Sequence, residues 1–416
     1  MKAILTDVTG EPAECRILWV ISDDQPRQYG SARPYVQPMP STNPSAGSLA
    51  ADRTRALVVG AGKIGTAIAG LLASTPDYDV TVLDRSEPAL RAVADLGVHT
   101  VRADTSDAGL LGRLAGDHDM VLSAAPFPLT IGIASAARDA GVHYFDLTED
   151  RASARAVAAM ATDAPAVLMP QCGLAPGFVS VVAAALASRF DSLRSVSLRV
   201  GALPEFPTNA LKYNLTWSTD GLINEYCSPC QAIVDGELRE VPPLEALETI
   251  SLDGVAFEAF STSGGLGTLG ESMLGRVETL DYKTVRYPGH CEIMRLLVRE
   301  LRLAHRRGVL ADILEAAIPV TDQDVVLVFV SVSGTRGGVL AQETFARKVY
   351  AAEVEGRRLS AIQLTTAAGI CTMADLVREE KLPTSGFVRQ EDCALEEFLA
   401  NRFGSLYLRG KAVAGT

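Results

Sequence analysis

Apolar positions along this chain fall into short runs separated by stretches of helical spacing, and the alternation begins at residue 55. Residues 57–59 are a run of β-formers. From Lys63 onward, Ile64, Ala67, Ile68, Leu71 and Leu72 recur on one helix face. A second apolar strand covers 79–84. The pattern then predicts a helix over 87–96, a strand over 99–102, a helix over 108–115 and a strand over 120–126. This last strand must leave its sheet at Pro126-Phe127-Pro128, because proline has no N–H for the ladder. Helices over 131–140 and 152–161 alternate with strands over 142–147 and 166–169. Such alternation specifies a parallel, doubly wound sheet with right-handed crossovers. Ligands bind at the carboxyl ends of its strands, where 124–126, 146–149 and 171–173 are expected.

Past a helix over 178–190 the period changes. Val196, Leu198 and Val200 alternate with polar neighbours, and strand-like stretches follow at 248–252, 283–286, 325–332 and 346–354. This predicts a second, α+β domain with an open, largely antiparallel sheet. Helical patterns over 365–380 and 395–403 are expected to pack back onto the first domain. The resulting division is a loosely ordered extension over 1–54, a dinucleotide-type domain over 55–175, an α+β domain over 176–364 and a helical return over 365–416. Within the extension, 17–21 has strand character, and 22–53 is rich in Ser, Pro, Gly, Gln and Asp without a sustained period.

The first strand and helix enclose Gly60-Ala61-Gly62-Lys63-Ile64-Gly65, glycines spaced G-x-G-x-x-G in the strand–turn–helix context of a dinucleotide fingerprint. Gly60 allows the tight turn, Gly62 lets backbone approach a pyrophosphate, and Gly65 lets helix and strand pack closely. Lys63 and Ile64 open the helix whose free N–H groups would face the phosphates. Asp84 ends the second strand about twenty residues on, where an acid accepts from both ribose hydroxyls and repels a 2′-phosphate. Arg85 follows and would welcome that phosphate, so the cofactor expected is NAD, with NADP possible. Ala124, Ala125 and Pro126 are expected on the nicotinamide side.

Composition narrows the partners. The 416 residues suffice for two domains, 48% are apolar, and the net charge of −12 argues against a nucleic-acid or anionic-membrane surface. No apolar run is long enough to span a bilayer, and the N-terminus lacks the pattern of a secretory signal. Seven scattered cysteines suit reduced thiols in a cytoplasmic protein. The single Cys227-Ser228-Pro229-Cys230 has no second pair and no nearby histidine, so no metal site is expected. There is no G-x-S-x-G elbow, no HExxH and no P-loop.

Several separated motifs resemble the saccharopine dehydrogenase-like oxidoreductases, and within them the bacterial lysine 6-dehydrogenases. They are the glycine fingerprint, 141–147, 173–177, 200–204, 211–223, 258–265 and 282–290, and the resemblance covers about 55–405. It implies a Rossmann doubly wound parallel sheet with a second α+β substrate domain inserted before a C-terminal helical return, and commonly a homodimer. The extension lies outside it. The implied reaction interconverts a carbon–nitrogen single bond and an imine, with hydride moving to or from nicotinamide C4.

That reaction needs a cation for the substrate carboxylate and a group that exchanges a proton with nitrogen. Arg286 is the carboxylate candidate, because a guanidinium fork matches a carboxylate at two points; the rival is a structural acid as its partner. Lys283 is a second candidate, although lysines at strand ends are usually solvated. His290, at the expected start of a helix, is the candidate proton carrier, with capping or packing as the alternative. Tyr213 and Trp217, an even number of positions apart, share a face on a strand and would line an aliphatic stem, or simply pack. Asp146 and Glu149 are placed to hold an ammonium group. The leading expectation is oxidation of the L-lysine ε-amine to a semialdehyde that cyclises. The alternatives are saccharopine reductase-like imine reduction and a non-catalytic NAD-binding sensor or scaffold.

Overall fold

A computed structural model describes residues 53–409 and the backbone of residues 411 and 412, so nearly all of the expected 1–54 extension, with its strand over 17–21 and Cys15, lies outside the described residues. Strands β1 (Thr54–Val59), β2 (Tyr78–Asp84), β3 (His99–Arg102), β4 (Met120–Ser123), β5 (His143–Asp146) and β6 (Val167–Met169) alternate with helices α1 (Lys63–Ala73), α2 (Glu87–Arg91), α3 (Ala108–Gly116), α4 (Thr130–Ala140) and α5 (Arg151–Met160). All neighbours in this sheet are parallel, in the order β3-β2-β1-β4-β5-β6. The chain is therefore an α/β, doubly wound protein in its first half. The expected helix over 87–96 breaks at Ala92. Arg91 ends α2, and a separate 3-10 turn covers Ala94–Leu96 before Gly97 turns left-handed.

Helix α6 (Phe178–Ala187) leads into β7 (Ser192–Pro204), α7 (Thr219–Cys227), β8 (Cys230–Val234), β9 (Glu237–Val241), β10 (Glu248–Leu252), β11 (Val255–Ser261), α8 (Leu269–Ser272) and β12 (Val277–Arg286). Then come α9 (His290–Arg295), α10 (Arg307–Ala317), β13 (Asp324–Arg336), β14 (Val339–Tyr350), β15 (Ala352–Val354) and β16 (Arg357–Leu359). The chain closes with α11 (Ala361–Arg378), β17 (Gly386–Phe387), α12 (Leu395–Ala400) and β18 (Lys411–Ala412). A nine-stranded sheet runs β10-β11-β12-β7-β13-β14-β18, with β8 attached to β12 and β9 paired to β8. Only the β7–β12 pair is parallel among its ladders.

Four hairpins share one turn chemistry. Asp235-Gly236, Asp253-Gly254, Gly337-Gly338 and Glu355-Gly356 all have positive φ at both central residues, the requirement of the type I′ turn that suits the twist of a hairpin. The pattern was readable at Asp235-Gly236 and Asp253-Gly254, yet β8, β9 and β11 were not among the expected strands.

The return of the chain onto the first domain includes a strand as well as helices: β17 adds to the edge of β6 in parallel, making that sheet seven-stranded. Helix α11 starts with a capping box at Ser360 and Gln363, and Asp324 accepts from the N–H groups of Ala361 and Ile362. Near its end, Asp375 is fully buried. It accepts from Tyr78 Oη (2.8 Å), Arg378 Nε (2.9 Å), Asn401 Nδ2 (2.8 Å) and Arg402 Nη2 (2.7 Å), tying α11 to β2 and the last turns. Burial alone would push this carboxyl up, but the bonds from Arg402, Asn401, Tyr78 and Arg378 hold it below the usual carboxylate value.

Asp375→Ala strands several buried donors at once and is expected to cost about 3–5 kcal/mol in denaturant unfolding. Because the folded value is depressed, the native carboxylate's contribution is complete above about pH 4 and is lost as pH falls through the lower folded value. The variant's deficit is therefore expected to shrink in acid. A deficit that is equal at neutral and acid pH would show that the carboxylate's charge is not what stabilises the junction.

Candidate functional site

The glycine turn has the form a dinucleotide needs. A Cβ on Gly65 would stand 1.8 Å from the Gly60 carbonyl oxygen, so only glycine lets α1 come this close to β1. At Gly62 a Cβ would meet nothing within 4 Å, leaving open space beside the start of α1. No side chain caps that helix and no acid occupies its first turn, so its N–H groups are available to a pyrophosphate. Lys63 and Ile64 border this space and both reach the surface. Asp84 Oδ2 accepts from Ala61 N and its Oδ1 from Ser86 N, each at 2.7 Å, which aims the carboxylate at the turn.

Parallel register puts Arg102 at the end of β3 opposite Asp84, and Arg102 Nε donates to the Arg85 carbonyl at 3.4 Å. The ribose position is thus bordered by the Asp84 carboxylate, with Arg85 next in sequence and Arg102 on the neighbouring strand. Sequence reasoning missed Arg102; its signal was its place at the carboxyl end of the neighbouring strand. Ala124 N donates to the Val59 carbonyl at 2.8 Å, so Ala124, Ala125 and Pro126 leave the sheet beside the glycine turn, as expected. The residues present fit a nicotinamide dinucleotide.

At the carboxyl ends of β5 and β6, two acids expected to act alike are separated by their surroundings. Asp146 is 1% exposed; Oδ1 accepts from Thr148 N (2.8 Å) and Gln171 N (2.9 Å), and Oδ2 from Tyr144 Oη (2.9 Å). Burial pushes it up to about 6 despite those bonds. Its oxygens staple β5 to the loop after β6, so Asp146 positions the strand ends. Glu149 remains partly exposed and faces the second domain. Gly264, at φ +93°, rests against it, and a Cβ there would lie 3.1 Å from the Glu149 Cβ. The preceding Ser263 donates its N–H to the Glu225 carbonyl at 2.9 Å. One short loop therefore sets Glu149 of the first domain beside Glu225 of the second.

Glu225 lies on α7, capped by Ser218. Its Oε2 is buried with no hydrogen-bond partner and lies 3.9 Å from Arg286 Nη2, beyond hydrogen-bonding reach. Arg286, at the end of β12, is 2% exposed, and its hydrogen bonds go to neutral groups, with Glu225 as its ion-pair neighbour at 3.9 Å. Nε donates to Tyr226 Oη and Nη1 to the Val285 carbonyl, both at 2.9 Å, and its Cζ stands 5.0 Å from the centre of the Tyr213 ring. Burial opposes its charge, but Tyr226, Tyr213 and Glu225 more than offset this and keep it protonated. Arg199 in the same sheet shows what saturation looks like: it bonds Glu248 and both oxygens of Asp281, at 3.0 and 2.9 Å.

His290 supports Arg286 through Tyr226, with both of its ring nitrogens bonded within the protein. Glu258, opposite Arg286 in register, accepts from Gly289 N and Cys291 N and so fixes the start of α9. His290 Nδ1 lies 2.9 Å from the Leu211 carbonyl, which can only accept, so Nδ1 carries the proton. Nε2 then accepts from Tyr226 Oη at 2.9 Å, and the Tyr226 oxygen is left to accept from Arg286. Burial and then Arg286 push His290 down to about 3. It is a neutral, fully buried acceptor.

Tyr213 and Trp217 do not share a strand face as expected: they sit in an irregular segment before α7, where Trp217 Nε1 donates to Tyr213 Oη at 3.1 Å. Lys283 departs from expectation. Strand alternation turns it to the face opposite Arg286, where it is buried and bonded to Glu248 at 2.7 Å, beside Arg199 and Asp281. Cys227 and Cys230 are free thiols, and no cluster of metal-ligating side chains is present among the described residues. No described helix is long and apolar enough to cross a membrane. An open hollow of about 570 Å3 lies outside Tyr226, between Pro243, Arg299 and Arg302. Its walls come from the second domain alone, so it is not where a dinucleotide would meet a substrate.

Residues 56–169 match the family model of the saccharopine dehydrogenase NADP binding domain, and residues 173–406 that of the saccharopine dehydrogenase C-terminal domain. The chain is similar to saccharopine dehydrogenase [NADP(+), L-glutamate-forming] of Saccharomyces cerevisiae, 24% identical over 255 residues, covering 58% of this chain and 57% of that protein. The protein of the same name from Schizosaccharomyces pombe is 22% identical, with 58% and 56% covered. The match thus spans little more than half the length of these relatives. Among solved structures, apo histidine-tagged saccharopine dehydrogenase (L-Glu forming) from Saccharomyces cerevisiae superposes with a TM-score of 0.69 at 18% identity, covering 83% of this chain and 97% of that one. At that identity the likeness concerns the fold.

The neutral state of His290 has a pH signature. Between its folded value near 3 and the ordinary value of 6.5, the unfolded chain binds a proton that the folded chain refuses. Its contribution to stability therefore falls as pH drops below about 6.5, by about 1.4 kcal/mol per pH unit. In denaturant unfolding, His290→Gln is expected to lose about 2 kcal/mol less than the native chain between about pH 7 and pH 5. Equal losses would put the proton on folded His290 and reverse the bond directions given above.

Proposed function

Because the chain belongs to the saccharopine dehydrogenase family, we propose that it is an NAD(P)-dependent oxidoreductase acting on a CH–NH group of an amino acid. The observation that carries this reading is Arg286, a buried guanidinium with no carboxylate within hydrogen-bonding distance, held at the strand ends beside the cofactor-binding domain. A substrate carboxylate would supply the partner it lacks. NAD(P) bound at the glycine turn would exchange hydride at nicotinamide C4. The chain's own residues bind the carboxylate at Arg286, keep that guanidinium in place through Tyr226 and His290, and line the stem with Tyr213 and Trp217.

Two finer readings remain, and one distance bears on them. In L-lysine the ε-nitrogen is a whole side chain away from the carboxylate. In a saccharopine-type secondary amine the reacting nitrogen sits on the carbon that bears a carboxylate. The 3.9 Å between Arg286 Nη2 and Glu225 Oε2 favours the second arrangement, with the carboxylate on the arginine and the nitrogen at the acid. The names of the curated relatives support the same reading. Lysine ε-deamination stands as the competing reaction, and a homodimer as the expected assembly.

The test is formation of reduced nicotinamide by the purified protein with saccharopine, with lysine, and with each omitted. Turnover with saccharopine supports the favoured reading, turnover with lysine alone replaces it, and turnover with neither, nor with any other amino acid, sinks the enzymatic proposal. Arg286→Lys is expected to lower kcat/KM by about tenfold to a hundredfold through KM, the loss of about 1.5–3 kcal/mol for a charge-assisted bond, and to leave cofactor binding unchanged. For cofactor choice, Arg85→Ala combined with Arg102→Ala is expected to raise KM for NADP by about tenfold or more with little change for NAD. Parallel changes for both cofactors would mean that neither arginine reads a 2′-phosphate.

A further inference from the structure

The acids at the domain junction have a use that neither the fingerprint nor Arg286 explains. Glu225 is 7% exposed, its Oε2 has no hydrogen-bond partner, and the nearest cation is out of bonding range. A buried acceptor left open in this way is costly unless something fills it. The Ser263–Gly264 loop touches both the Glu225 carbonyl and the Glu149 Cβ, and Glu225 is the charged neighbour that acts on Glu149, so the two acids belong to different domains and are neighbours only when both are in place. The other titratable groups around them are Arg286 and Tyr282 on β12, Tyr213 before α7, Tyr226 on α7 and Cys230 at the start of β8. Arg151 lies beyond Cys230 and is paired with Glu240.

We propose that Glu225, paired with Glu149 across the domain junction, takes the proton from the substrate nitrogen during oxidation and returns it during reduction. This rests on the CH–NH reading above. An N–H of the substrate ammonium breaks and an O–H forms on Glu225 Oε2, leaving the electron pair on nitrogen. That pair forms the C=N bond as the adjacent carbon loses hydride to nicotinamide C4 of the oxidised cofactor. Water then adds to the iminium carbon, and the carbon–nitrogen bond breaks to give aldehyde and amine. Burial, opposed by Arg286, raises Glu225, and burial with Glu225 raises Glu149, so on this proposal the two hold one proton between them near neutrality. With Arg286 the three groups then sum to zero charge, and the second carboxyl keeps an acceptor ready. His290, neutral and bonded at both nitrogens, is replaced in this role.

Two measurements test the proposal, one of them independent of turnover. In the unliganded protein at about pH 7 to 8, above the range in which Asp146 and Asp324 are protonated, infrared difference spectra against Glu225→Gln are expected to show a protonated-carboxyl C=O band that the variant lacks. If the band persists in both Glu225→Gln and Glu149→Gln, the pair does not share the proton and the proposal falls. In turnover, Glu225→Gln is expected to lower kcat by about 10²–10⁴-fold. The acid limb of its kcat/KM profile should be lost while the thermal shift given by NAD or NADP stays the same. Glu225→Asp should recover part of kcat, which a folding defect would not allow. Glu149→Gln should move the acid limb to lower pH, because it removes a like charge. A Glu225→Gln enzyme with native kcat and an unchanged limb overturns the assignment. A native protein that oxidises no amino acid while its infrared band behaves as stated overturns the CH–NH reading and leaves the shared proton in place.

Discussion

A helix that is apolar on every side must be covered on every side, and α11 is such a helix. From Ala361 to Val377 nearly every residue is buried, including Thr365, Thr372 and Asp375, whose polar atoms are all bonded within the protein. It packs against α1 of the first domain and against β13 and β14 of the second, so a single hydrophobic core runs from β1 through α6 and α11 into the large sheet. Phe178 at the start of α6 stacks on Tyr407, with ring centres 3.9 Å apart, and lies 5.0 Å from Phe398. Large side chains buried in this way contribute about 1.5–3 kcal/mol each. The junction between the domains is therefore a packed interior. It is this rigidity that lets Glu149, Glu225 and Arg286, from two domains, be set against one another at ångström scale.

Two buried arginines of the large sheet show how differently one fold can treat the same side chain. Arg199 faces Glu248 and Asp281 with Lys283 alongside, a closed set in which charges balance and every fork position is used. Arg286 emerges on the other face and is held by a tyrosine, a carbonyl and an aromatic ring, with its carboxylate neighbour just out of reach. The first is structure complete in itself. The second is an incomplete electrostatic arrangement, kept in place because Tyr226 and His290 fix the direction of each hydrogen bond.

Much of the fold was legible because it rests on local rules. The strand–turn–helix around Gly60–Gly65, the alternation through Met169 and the change of period after Phe190 needed only the sequence. The candidate site was legible in part. Period two along β12 was enough to separate Arg286 from Lys283, since odd positions face away from even ones. Asp146 differs from Glu149 partly through near neighbours, Tyr144 Oη and Thr148 N, and partly through Gln171 N, which the chain beyond β6 brings in. Glu225 and Tyr226 went unnoticed because, on an amphipathic helix, an acid reads as a solvated position. Only the second domain folding over α7 reveals that this one is buried. His290 was noticed for its imidazole at the expected start of a helix, but its bonding was decided by Leu211 and Tyr226, which no spacing foretells.

The two residues Gly386 and Phe387 complete the first sheet from the far end of the chain, more than two hundred positions after the strand they join. A ribosome delivers β6 long before it delivers β17, so throughout that interval the growing chain carries an uncovered parallel edge next to Val167 and Leu168. The helix that roofs the same sheet arrives just as late. The dinucleotide-binding half can finish folding only once residues 361–387 have been made, and until then its edge is open to pairing with another chain. Cutting the gene at the apparent domain boundary would make that temporary exposure permanent.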